Sequence, residues 1–254
     1  MVSTMCPDCF KKVLKIALPL AFWLAAWQFL AMAVGLEMLL PTPLAVFRRL
    51  AVLSATSKFW LSALFSLLRI FVGLLGGTLL GTGLAFLTHF CRWADLLISP
   101  AVRVLRATPV VSFILLVYLW ISRSNIPGLI AGLMVLPVIW GSLTGGLSSV
   151  DGQLLEMARA YRFSSFKTLR LIYLPSLRPH FVSGFLTAFG LAWKSGIAAE
   201  VICPPKYAIG TQLKHARDAI EAPDLFAWTL VIIVLSLLLE AVLRRILKKK
   251  EAQA

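Results

Sequence analysis

Acidic residues are scarce in this chain of 254: 11 Asp and Glu stand against 25 Lys and Arg, for a net charge of +14. Charge of either sign is also thin, at 14% of residues, whereas 59% are hydrophobic and mean hydropathy is +0.88. A soluble globular domain needs far more polar surface to cover its core, so a membrane is the expected solvent. The basic excess alone would suit a polyanionic partner. The basic residues lie between long apolar runs, however, so nucleic acid is not expected to bind. Histidine is limited to His89, His180 and His215, each standing alone. Cys6-Pro-Asp-Cys9 has the CxxC spacing, but tetrahedral zinc needs four ligands and neither a second CxxC nor a close histidine pair follows. Neither a metal site nor a catalytic residue is therefore expected. A GxxxxGK[ST] phosphate cradle is also missing. No cofactor is expected on this chain, and any ATP-driven work must draw on ATP and Mg held by another one.

What the chain does have is long apolar runs. About 20 residues of helix are needed to cross roughly 30 Å of hydrocarbon, because the segment must satisfy its own backbone polar groups. Spans are read near Val13–Val34, Phe59–Thr88, Val110–Ile121, Ile126–Leu147, Phe181–Ile202 and Leu225–Leu243. The third is short for a crossing; it either extends back through Leu96–Leu105 or runs beside a water-filled pathway. The first, preceded by Lys11 and Lys12, is too long for the apolar core of a cleaved signal peptide and reads as an uncleaved span. The fold class is thus an all-α membrane protein of about six transmembrane helices.

Six spans place both termini on one side, and the Lys and Arg distribution selects that side. Lys11, Lys12 and Lys15, then Arg92, Arg103 and Arg106, the cluster from Arg159 to Arg178, and the tail from Arg244 to Lys250 all fall on the side of the termini. Fewer basic residues lie opposite, among them Arg48, Arg49, Lys58, Arg123 and Lys206. Both termini are expected in the cytoplasm of a bacterial cell, with the chain in its inner membrane. The loops are too short to hold a further domain. One membrane domain is read over 1–254, with a first span and outer segment (1–57), a core (58–243) and a basic tail (244–254).

Between the fourth and fifth spans, Leu154, Leu155, Ala158 and Tyr161 recur at helical spacing. Phe163-Ser164-Ser165 then breaks the run with a capping serine, and Phe166, Leu169 and Ile172 or Tyr173 resume it. Pro175 is expected to end this second short helix, and Pro179 to keep the chain from restarting at once. Two short amphipathic helices on the cytoplasmic face make a knob suited to a partner's groove. A basic amphipathic segment resting on anionic lipid is the competing reading.

This loop resembles the cytoplasmic signature of the permease subunits of binding-protein-dependent ABC importers. Glu156, Ala158, Ile172, Leu174 and Pro175 match at the family spacing. Met157 stands where the family has alanine, and Arg162 where it has the glycine that supplies the turn, so the turn here is built without one. Leu40-Pro41-Thr42-Pro43 with Val46 and Leu50, Arg106-Ala107-Thr108-Pro109, Ala192-Trp193 and Ala199-Glu200 resemble the sulfonate, taurine and nitrate branch. The resemblance implies a subunit that is not itself an enzyme and forms half of a pathway for a small anion. It further implies that Glu156, Ala158, Arg162, Ile172, Leu174 and Pro175 couple it to separate ABC ATPase subunits. A second permease subunit, in a homodimer, and an extracytoplasmic binding protein are the other implied partners, besides membrane lipid. An energy-coupling subunit of a vitamin or thiamine-precursor importer, and an ATPase-independent secondary transporter, are the alternatives. The latter would require intramembrane carboxylate relays or mirrored halves, and neither is evident.

Arg69 and Lys194 lie inside apolar runs, where a cation costs about 2.5 to 3.5 kcal/mol and so faces protein or water. Ser62, Ser66, Arg69, Gly73 and Gly76 give the second span a small or polar face, and Gly73, Gly77 and Gly81 permit close helix approach. Arg69 either snorkels from a packed face or lines the pathway. Lys194 and Glu200 are about 120° apart around their helix and do not bridge. Arg69, Trp193, Lys194 and Glu200 are the candidate pathway residues, with Lys194 either the positive site for an anion or a lysine reaching toward the outer interface.

Overall fold

The computed structural model describes residues 7–251, with side chains from residue 17 to residue 247. Among the described residues every regular element is helical. They are α1 (Pro7–Val34), α2 (Pro43–Ser54), α3 (Ser57–Phe90), α4 (Arg92–Ala107), α5 (Val110–Tyr118), α6 (Ile126–Ser148), α7 (Gly152–Ala160), α8 (Ser165–Thr168), α9 (Leu174–Ile202), α10 (Ile209–Asp218) and α11 (Ala222–Glu251). A π-helical turn, Leu169–Tyr173, joins α8 to α9. The all-α membrane fold expected from hydropathy is the one adopted. Among the described residues five helices are long and apolar enough to cross a bilayer, and α4 with α5 would make a sixth if counted as one bent crossing. The Cys6/Cys9 pair lies outside the residues whose side chains are described.

Two boundaries differ from the sequence reading, and both turn on proline. The third span is a nine-residue helix bent by 103° from α4. Thr108 precedes Pro109 and is held extended (φ −79, ψ 133), since proline clashes with a helical residue before it. The second difference is that Pro175 and Pro179 do not stop the chain. From Ser165 through Ile202 it runs as one span-length helix. Pro175 falls in the first turn of α9, where a missing N–H costs nothing because the register has just been reset by the π turn.

The chain divides into two compact units, Met1–Trp60 with Gln212–Val231 and Leu61–Thr211 with Ile232–Ala254. In the first, the Pro41-Thr42-Pro43 run has a plain physical role. Thr42 caps α2 by accepting from the Ala45 N–H at 3.3 Å, Pro43 occupies the first turn, and Pro41 offers its carbonyl to Trp27 Nε1 at 3.1 Å. Trp27 stacks on Phe226 and Phe59 on Trp228. Arg49 grips Asp224 through both Nε and Nη2, the latter reaching Oδ2 at 2.9 Å, with Glu221 at 3.9 Å. Hydrogen bonding to that carboxylate raises the Arg49 guanidinium above its ordinary value.

In the second unit the glycine series of α3 lies directly against α6, as the sequence spacing predicts. A Cβ on Gly128 would come within 2.9 Å of the Arg69 carbonyl, and one on Gly132 within 3.0 Å of the Gly73 carbonyl. Backbones this close leave room for no side chain, which is how membrane helices gain van der Waals contact without a hydrophobic driving force. Trp140 Nε1 donates to Thr88 Oγ1 at 3.1 Å, tying the far end of α3 to α6. Ser142 Oγ donates to the His180 carbonyl at 2.7 Å, tying α6 to α9.

Candidate functional site

The loop between α6 and α9 is an elbow whose parts follow from local chemistry. Asp151 caps α7 by accepting from the Gln153 N–H at 2.9 Å, and Ser164 caps α8 by accepting from the Lys167 N–H at 3.3 Å. Between them Arg162 has φ +52, the left-handed conformation that glycine favours. The Phe163 N–H donates to the Ala158 carbonyl at 2.9 Å and the Arg162 N–H to the Arg159 carbonyl at 3.0 Å. Those two bonds are the six-to-one and five-to-two pair of a Schellman helix end. The turn is therefore built with arginine in the glycine conformation, and arginine bears the steric cost of its Cβ.

The elbow sorts its residues into two sets. Ala158 and Ile172 are buried within the chain, while Glu156, Arg162, Leu174 and Pro175 are exposed. Tyr161 and Phe166, which share the helical spacing of the buried set, point outward at 74% and 72% exposure. Spacing marked them as apolar but could not say which side of the bend they would face. A groove of about 620 Å³ runs between the two short helices, lined among others by Leu155, Phe163, Phe166, Leu169 and Tyr173. Lys167 Nζ sits 4.0 Å over the Phe163 ring, holding one wall of it.

The candidate pathway residues separate in the same way. Lys194 is exposed on α9 and forms no ion pair among the described residues, whereas Trp193 beside it is 1% exposed with its Nε1 unbonded. Glu200 and Lys194 do not meet, as their angular offset requires. Glu200, 0% exposed, instead accepts from Ser66 Oγ at 2.8 Å and from the Gly210 N–H at 3.1 Å. Its other oxygen faces Arg69 Nη1 at 3.7 Å. Arg69 thus stands on a packed face, opposite a buried carboxylate, and also edges a groove of about 610 Å³ along α3 and α6. Sequence reasoning missed the Arg69–Glu200 pairing and the part played by Ser66 and Gly210. Only the presence of charges inside apolar runs hinted at partners.

Residues 77–251, well over half of the chain, match the family of binding-protein-dependent transport system inner membrane components. A protein of Bacillus subtilis (strain 168) named for aliphatic sulfonates transport, a permease protein, is 24% identical over 228 residues, covering 89% of this chain and 82% of its own. The taurine transport system permease protein of Escherichia coli (strain K12) is 23% identical over 241 residues, covering 92% of this chain and 86% of its own. A crystal structure of an amino acid ABC transporter with histidines has a chain of the same fold. Its TM-score is 0.66 at 16% identity, and the match covers 81% of this chain and 98% of that one.

Proposed function

The chain belongs to the binding-protein-dependent transport system inner membrane components, and on that premise we propose that it forms half of the pathway of an ATP-driven importer for a small organic anion of the aliphatic sulfonate or taurine kind. The relatives named for those substrates, each matched along most of its length, support the substrate class. In this reading a separate ATPase supplies ATP and Mg, an extracytoplasmic protein delivers the substrate, and a second copy of the chain completes the pathway. Both termini and the elbow lie in the cytoplasm, as the distribution of Lys and Arg favours.

One observation carries the coupling role: the elbow buries Ala158 and Ile172 to fix its shape while presenting Glu156, Tyr161 and Phe166 to solvent. Large aromatic side chains exposed on a small, capped, rigid unit are what a docking knob requires. Closure of the ATPase subunits then moves the elbow as a body, and rocking of the helices behind it switches access from outside to inside. Within the pathway Lys194 supplies the positive charge, with Trp193 beside it on α9, and Arg69 and Glu200 hold the pathway wall.

Reconstituted importer carrying Glu156→Lys tests the assignment. The variant is expected to insert normally and to hydrolyse ATP without uptake; wild-type uptake by it, or labelling of the elbow from outside, would sink the reading.

A further inference from the structure

Segment 203–210 leaves the end of α9 and returns to the flank of α3, and three of its backbone groups are pinned there. The Ile209 N–H donates to Ser66 Oγ at 2.9 Å, the Gly210 N–H to Glu200 Oε2 at 3.1 Å, and the Tyr207 carbonyl accepts from Arg69 Nη1 at 2.6 Å. The Tyr207 ring stacks on Phe65, and the Arg69 guanidinium lies over the same Phe65 ring at 5.6 Å. Gly210 presses so closely on Glu200 that a Cβ there would stand 2.8 Å from the Glu200 carbonyl carbon. Thr211 Oγ1 closes the segment on itself by donating to the Pro205 carbonyl at 2.7 Å.

A charge pair is an unusual device for such a place. Replacing a buried ion pair by well-packed apolar side chains is often neutral or stabilising, so stability alone does not explain why Glu200 and Arg69 are there. What the pair does provide is a single geometry. Glu200 Oε2 collects a side-chain and a backbone donor from two different elements. Among the described residues its Oε1 finds no hydrogen-bond partner, and it faces the same Arg69 nitrogen that holds Tyr207. That one nitrogen stands between an acceptor on the segment and an acceptor on α9.

We propose that Glu200 and Arg69 are positioning residues of the transport cycle, locking segment 203–210 against α3 and α9 as a fixed rim of the extracytoplasmic mouth on which the substrate-loaded binding protein seats. This rests on the orientation given under the proposed function. The lock acts through the segment and not through the substrate, so its loss weakens productive docking of the delivery protein and leaves discrimination among substrates intact.

The test uses the complete importer in lipid nanodiscs, with the native cysteines replaced by serine and a reporter at Ala208, which is fully buried. In the parent, Ala208→Cys should react slowly with a membrane-impermeant maleimide. Adding Glu200→Gln, which keeps shape and removes charge, should speed that reaction about tenfold. It should also raise by about tenfold the concentration of loaded binding protein that half-saturates ATPase stimulation. Arg69→Lys, which retains a charged donor for Tyr207 and is made in place of Glu200→Gln, should leave both near the parent values. Unchanged protection and unchanged half-saturation in Glu200→Gln overturn the lock. So does a variant in which preference between two competing substrates shifts while the reporter stays shielded, since the pair would then touch substrate. A second reporter at the exposed Lys206 separates the two layers: labelling of Lys206→Cys only from the ATPase side would overturn the orientation itself.

Discussion

Ser66 and Glu200, 134 positions apart in the chain and both wholly buried, share a hydrogen bond of 2.8 Å. Two polar groups placed out of reach of water must find each other or pay for desolvation, and here the hydroxyl also accepts from Ile209, so neither of its roles is idle. The polar face that α3 shows in its sequence is thereby explained as a seat for another part of the chain. Lys194, on the same helix as Glu200, stands outside this network.

The left-handed Arg162 leads to the first expectation. Arg162→Gly relieves the Cβ crowding at a helix end that already has both Schellman bonds, and should stabilise the elbow by about 1 kcal/mol. Amide exchange of residues 158–164 should slow about fivefold. A faster exchange in the variant would mean that the arginine side chain, and not the backbone, holds the turn.

Close packing of α3 on α6 distinguishes two adjacent glycines, Gly76 and Gly77. Gly77→Val places a branched side chain against Gly132 and Val135 and should cost about 3 kcal/mol or more. Gly76→Ala meets nothing within 4 Å and should be neutral or stabilising by up to about 1 kcal/mol. Thermal unfolding in detergent distinguishes them, and equal melting points would refute the packing.

The Arg49–Asp224 grip is two-pronged, with the arginine side chain 41% exposed and the aspartate 12%. Discounted for that exposure, Asp224→Asn should lose about 1 kcal/mol, a fall of roughly 2 to 4 °C in Tm. Arg49→Lys should not recover it, because an ammonium cannot make both bonds at once. Full stability of the lysine variant would show that charge alone is at work.

Lys194→Met removes the exposed cation on α9. Uptake of an anionic substrate should fall about tenfold, an effect of about 1.4 kcal/mol, while ATPase stimulation by loaded binding protein persists. Retained uptake with unaltered substrate preference would remove Lys194 from the pathway.

Hydropathy and spacing determined the membrane setting, the positions of the long helices, the glycine series of α3 that permits a close helix approach, and the bipartite elbow with a capping serine. These are local or periodic properties, written along a single segment and needing no knowledge of what lies across from it. Where proline stood in the run, periodicity misled. The rule that proline ends a helix holds for an uninterrupted α register, and the π turn before Pro175 resets the register. The outward turn of Tyr161 and Phe166, the left-handed Arg162, and the meeting of Arg69, Ser66, Glu200 and Gly210 were decided only in three dimensions. A buried polar group needs a partner, but the sequence names only the need; which of many distant donors fills it depends on how the helices close.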